Sequence, residues 1–108
     1  KDIRRPMPRF SAEHYPRNLA LLPAFEALAR EAGCTPAQLA LAWLLAQGDH
    51  ILPIPGTRSV AHLNELAAAR DIAVTEQMKT EIEAILPVGW AHGDRYSQAQ
   101  WVGPERYC

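Results

Sequence analysis

The sequence is poor in cysteine and lysine, carries almost no net charge, and contains no long apolar run. Each shortage removes a class of protein. Cys34 and Cys108 lie far apart, so they build neither a disulfide framework nor a cysteine metal knuckle. Lys+Arg 11 against Asp+Glu 12 leaves a formal charge of −1. That balance supplies neither the basic footprint of a nucleic-acid binder nor a disordered acidic tail. No stretch reaches the roughly 18 apolar residues of a membrane-spanning helix, and residues 1–10 do not read as a signal peptide. His14, His50, His62 and His92 never fall at the i, i+4 spacing of a metal-binding pair, so no metal site is expected. A soluble, cytoplasmic, globular chain with no nucleic-acid or membrane partner is the expectation. At 108 residues it is one domain at most. It opens on Lys1 and not on Met, as expected of a chain that was processed or cut from something longer.

What is present is a set of helical patterns separated by proline and glycine. Residues 1–16 read as a polar loop, punctuated by Pro6, Pro8 and Pro16 and solvated by Arg4, Arg5 and Arg9. Helical spacing begins near Arg17 and runs to Ala32, with Leu22, Phe25, Leu28, Ala29 and Ala32 on one face. Pro23 either sits in the first turn of a helix that starts near Leu21 or kinks a longer one. Gly33 is the expected stop. Thr35, Pro36 and Gln38 then form a capping box with proline at the first helical position. The helix they open, Pro36 to Gln47, is apolar almost all round, which predicts burial on more than one side. Ile51 to Pro55 reads as a short buried strand, although Pro53 cannot donate to a ladder. Ser59 caps a third helix to about Ala69, with Leu63, Leu66 and Ala67 inward, and Thr75 caps a fourth over Glu76–Leu86. Residues 87–108 form an aromatic loop containing Trp90, Tyr96, Trp101 and Tyr107. Four helices and one strand do not close on themselves, because a lone strand leaves its backbone groups without a ladder. The elements look like the end of a larger α/β protein.

Chemistry concentrates in Ile54-Pro55-Gly56-Thr57-Arg58-Ser59-Val60-Ala61-His62-Leu63. An extended segment delivers the chain through a glycine turn to a helix N-terminus, where free N–H groups and the positive end of the helix dipole favour an anion. Gly56 permits close backbone approach, and the Arg58 guanidinium offers a fork of donors suited to a phosphate monoester. Ser59 either caps the helix or donates its hydroxyl to the anion. The competing reading is an ordinary strand–turn–helix junction carrying a surface arginine.

The run Pro36-Ala37-Gln38-Leu39-Ala40-Leu41-Ala42-Trp43-Leu44-Leu45-Ala46-Gln47, followed by Ile54-Pro55-Gly56-Thr57-Arg58-Ser59, resembles the C-terminal part of aldo-keto reductases. Phe10-Ser11, the extended segment before Thr75 and Gly93-Asp94-Arg95-Tyr96 are similar to that family in order and spacing. The resemblance implies an α/β protein, a (β/α)8 TIM barrel that uses NADPH to reduce carbonyl compounds, with this chain as its last part. It implies that Arg58 and Ser59 hold the 2′-phosphate of NADPH, that Gly56, Thr57 and Val60 line the approach, and that Glu65 lies near the adenine. His62 stands where the family often has a second phosphate-contacting residue, frequently arginine. Leu66 follows Glu65 where the family commonly has asparagine. The family's catalytic Asp, Tyr, Lys and His set has no match here: Tyr15, Tyr96 and Tyr107 fall in loops, and Lys79 falls on an exposed helix face. The chain alone is therefore expected to be inactive.

Other features carry bland readings beside the sharp ones. Cys34 reads as a small core residue, and Glu76, Glu81 and Glu83 as a solvated helix face. Trp90, Tyr96 and Trp101 either cover a substrate pocket or pack for stability. Residues 32–36 between two helices invite a helix-turn-helix reading, but the would-be recognition helix, 36–47, has no basic residue to reach base edges. The alternative to an enzyme portion is a free-standing helical interaction module, or a vestigial one, that hides its leftover apolar face by self-association.

Overall fold

The computed structural model describes residues 2–102. It contains five α-helices, α1 (Tyr15–Leu19), α2 (Leu22–Glu31), α3 (Pro36–Leu45), α4 (Val60–Ala67) and α5 (Glu76–Ile85), with 3-10 turns at Pro8–Phe10, Ala68–Asp71 and Gln98–Gln100. The chain divides into two compact units, residues 24–85 and residues 1–23 with 86–108. The expected aromatic loop extends to Gly103, Pro104 and Tyr107, which lie outside the described residues.

In the unit of residues 24–85, the helix ends follow the local chemistry closely. Of the two readings of the Arg17–Ala32 pattern, the structure takes the helix that starts near Leu21 with Pro23 in its first turn: α2 begins at Leu22, and the residues before it form the separate α1. The reason is Pro23, which has no N–H to donate and whose ring crowds the carbonyl four residues earlier. It is tolerated in the first turn of a new helix, and α2 starts at Leu22. Gly33, at φ +69°, takes the left-handed position after α2, and Cys34 N–H reaches back to the Ala29 carbonyl at 3.0 Å. The capping box of α3 is complete. Thr35 Oγ1 accepts from Gln38 N–H at 3.2 Å, and Gln38 Oε1 accepts from Thr35 N–H at 2.9 Å. Thr75 caps α5 by accepting from Met78 N–H at 3.1 Å.

Two packing expectations need correction. α3 buries only Leu39 and Ala42, while Leu44 and Leu45 are exposed. Its neighbours in this unit, α4 and the 3-10 turn after it, cover one side and leave the other open. α4 has no fully buried residue, and Leu63 is exposed. It also stops at Ala67, where the chain tightens into the 3-10 turn Ala68–Asp71 instead of continuing to Ala69. The buried side chains are few: Phe25, Leu28, Ala29, Leu39, Ala42, Ala69 and Ile82.

The expected strand is not formed. Residues 51–57 have no regular structure, and no strand occurs among the described residues. Leu52 is 84% and Ile54 95% exposed. The physical reason is the one that made a lone strand implausible: no second strand offers a ladder, and Pro53 and Pro55 lack N–H groups of their own. No helix among the described residues is long and apolar enough to cross a membrane.

In the other unit, α1 and the Pro8–Phe10 turn pack together, so the loop expected over 1–16 is partly helical. Asn18 ties this N-terminal part to residues 74 positions away. Its Nδ2 donates to the Arg9 carbonyl at 3.2 Å and to the His92 carbonyl at 3.0 Å, and its Oδ1 accepts from His92 N–H at 2.8 Å. Arg9 Nε donates to the Gly93 carbonyl at 3.1 Å.

Two outcomes follow from this packing. Leu39 is wholly buried, so Leu39→Ala is expected to cost about 3 kcal/mol of stability, read as a shift in the urea midpoint. Burial pushes the Cys34 thiol up, so in a Cys108→Ser background Cys34 is expected to alkylate more slowly at pH 8 than a free cysteine peptide.

Candidate functional site

Gly56, Thr57, Arg58, Ser59 and His62 line one open concavity of about 610 Å³. Backbone and side chains in the turn hold its shape. Thr57 Oγ1 donates to the Ser59 carbonyl at 3.2 Å and accepts from Ser59 N–H at 3.4 Å. Ser59, in extended geometry at the N-cap of α4, accepts from His62 N–H at 3.5 Å. The either-or of the serine resolves here, because capping uses a lone pair of Oγ and leaves its O–H free to donate. Leu63 N–H bonds the Ser59 carbonyl at 2.9 Å. Of the first-turn donors, Val60 N–H and Ala61 N–H have no partner among the described residues. Arg58 likewise makes no ion pair or hydrogen bond among them. The concavity wall thus carries an uncommitted guanidinium and a hydroxyl free to donate, and the adjoining first turn of α4 has two amides without a partner among the described residues. That donor set suits a phosphate oxygen cluster.

Two expected site residues stand apart from the concavity. Val60, 75% exposed, contributes its backbone amide at the first turn and not a lining side chain. Glu65 is occupied elsewhere. Its Oε1 accepts from Thr35 Oγ1 at 2.7 Å, and its backbone carbonyl accepts from Gln38 Nε2 at 2.9 Å. Thr35 and Gln38 therefore cap α3 and fasten it to α4 with the same side chains. Nothing local in the sequence marks that tie, since the partners stand 30 and 27 residues apart.

A match to the Aldo/keto reductase family model covers residues 1–87, most of the chain. The chain belongs to the aldo/keto reductase family. Among similar proteins is Aldo-keto reductase yakc of Schizosaccharomyces pombe, with NADP(+) in its name, 42% identical over 95 residues. That alignment covers 88% of this chain and 28% of the relative. "Probable aldo-keto reductase 1" of Glycine max is 40% identical over 89 residues, 82% of this chain and 26% of the relative. The chain thus spans about a quarter of the length of the aldo/keto reductases it matches. No solved structure matches it significantly. Among the described residues the chain is helical and has no strand. Among the described residues, no group of three or more His, Cys, Asp or Glu side chains is placed to hold a metal.

The tie between α3 and α4 yields a measurable coupling. Glu65→Ala and Thr35→Val should each destabilise the chain by about 1–2 kcal/mol. In a double-mutant cycle followed by urea unfolding, the pair should lose at least about 0.5 kcal/mol less than the sum of the singles.

Proposed function

We propose that this chain is the C-terminal, cofactor-binding portion of an NADPH-dependent aldo-keto reductase, which reduces aldehydes and ketones to alcohols. The observation that carries the reading is the junction at the start of α4. Arg58 and Ser59 line one concavity at the first turn of α4, where the Val60 and Ala61 amides have no partner among the described residues, in a chain of this family. The S. pombe relative has NADP(+) in its name, and a 2′-phosphate is the feature that separates that cofactor from NAD.

The residues fit that group. Arg58 would hold the phosphate through its guanidinium donors, and its charge would offset part of the dianion. Ser59 donates its hydroxyl while still holding the helix start. The two amides lie at the positive end of the α4 dipole, which favours the same charge. Thr57 fixes the turn that aims them. His62 lies on the concavity wall, where its imbalance of size and charge against arginine gives a weaker grip. Glu65, committed to Thr35, holds α3 and α4 together at the adenosine side, while Leu66 there offers no hydrogen bond to a base. When bound, the cofactor supplies a hydride to a carbonyl carbon. No residue of this chain matches the catalytic Asp, Tyr, Lys and His set, so proton delivery to the oxygen falls to other parts of the protein.

The exposed segment supports the portion reading over a free-standing module. Leu52 and Ile54, two residues apart and almost fully exposed, have the spacing of one strand face and no ladder to join. A parallel barrel supplies both neighbours such a segment needs.

Arg58→Ala in the NADPH-dependent protein should weaken NADPH binding by at least about tenfold and NADH binding by less than about twofold. Equal losses for the two cofactors overturn the phosphate assignment. Ser59→Asp is the second test, because aspartate retains the cap but places a negative charge in the concavity. Helicity by circular dichroism should persist while NADPH affinity falls.

A further inference from the structure

Among the described residues that line the concavity at the start of α4, Gly56, Thr57 and Ser59 carry no charge and Arg58 keeps its charge at every working pH. His62 is the wall residue able to change charge near neutrality. The structure ties it down only through its backbone. Its N–H donates to Ser59 Oγ at 3.5 Å. Its exposed ring makes no hydrogen bond or ion pair among the described residues. The start of α4 therefore does not need the imidazole, since other residues supply the same backbone N–H. The ring nitrogens are left for a proton and a ligand.

Charge decides what that proton does. In the empty concavity the Arg58 guanidinium shares the wall with the imidazole, and a second positive charge is opposed there. A phosphate dianion reverses the sign, because its two negative charges exceed the single charge of Arg58 and leave one for an imidazolium to meet. Proton and phosphate then favour each other's binding. Neighbouring charges leave that sign unchanged. Glu65, one turn further along α4, spends its Oε1 on Thr35 Oγ1 at 2.7 Å. Of the elements packed against α4, α3 brings no charged side chain. The 3-10 turn Ala68–Asp71 brings Arg70 and Asp71, which pair with each other at 3.4 Å. The acid limit comes from the ligand, since a phosphate monoester loses its second charge below roughly pH 6. The window is thus about pH 6.5 to 8, where the phosphate stays mostly dianionic and imidazoles ordinarily gain a proton as the pH falls.

We infer that His62 makes the choice of cofactor proton-linked: as the pH falls through that window, its imidazolium joins Arg58 on the 2′-phosphate, and NADP(H) is favoured over NAD(H) more strongly. The inference rests on the proposed cofactor reading, whereas that reading stands without it.

The test is equilibrium binding of NADP⁺ and NAD⁺ to the whole protein that carries this chain. Isothermal calorimetry at about pH 6.5 and about pH 8, in buffers of differing ionisation heat, reads affinity and proton uptake together. NADP⁺ should bind about threefold more tightly at the lower pH, with net proton uptake. NAD⁺, which lacks the 2′-phosphate, should change by less than about 1.5-fold. His62→Gln keeps the capping N–H and removes the proton site, so the gain and the uptake should both disappear while NADP⁺ still binds more tightly than NAD⁺. His62→Arg fixes the positive charge, so its NADP⁺ affinity should be high and equal at both pH values. NAD⁺ affinity should be unchanged in both variants, which reports that each still folds. An unaltered pH profile in His62→Gln, or a gain shared by NAD⁺, overturns the inference and leaves the phosphate reading standing. Equal affinity of the unsubstituted protein for the two cofactors at both pH values overturns that reading, and this inference with it.

Discussion

The Thr35 hydroxyl is the point on which the unit of residues 24–85 turns. One oxygen accepts the Gln38 amide that starts α3 and donates its own proton to Glu65 on α4. Gln38 repeats the pattern, accepting from the Thr35 amide and donating to the Glu65 carbonyl. A helix start needs its free amides satisfied, and two helices in contact need their orientation fixed. Both needs are met by the same pair of side chains. With no buried residue in α4 itself, this polar tie fastens the C-terminal half of α4 to the start of α3.

A related economy of polar groups organises the other unit. Asn18 uses both ends of its amide on backbone 74 residues away, so His92, in a loop without a ladder, has both its backbone donor and its acceptor met. Buried apolar area is small there, and no residue of α1 is buried. Hydrogen bonds and the tight fit at Gly93 replace the core that a larger element would provide.

Local chemistry was fully legible. The cap of α3, the glycine stop of α2, the serine cap of α4 and the threonine cap of α5 each depend on residues within about five positions of one another. That Gly56, Thr57, Arg58, Ser59 and His62 lie together was legible for the same reason, since they fall in one contiguous run. The strand was misread because a run of apolar residues records a tendency to be extended and buried, whereas a ladder needs a partner that the run does not contain. The all-round apolar α3 was read as buried on several sides. Composition records only a tendency to be buried, and the described residues cover one side of α3, leaving Leu44 and Leu45 exposed.

The sequence alone determined which turns cap which helices, the family to which the chain belongs, and the donor set at the start of α4. These are properties of neighbouring residues, and neighbouring residues carry them wherever the chain goes. Tertiary structure decided that Glu65 serves Thr35, that Arg9 reaches Gly93, and that Asn18 meets the His92 backbone. Each of those depends on groups tens of residues apart being brought within 3 Å or so, and no local pattern records such a meeting.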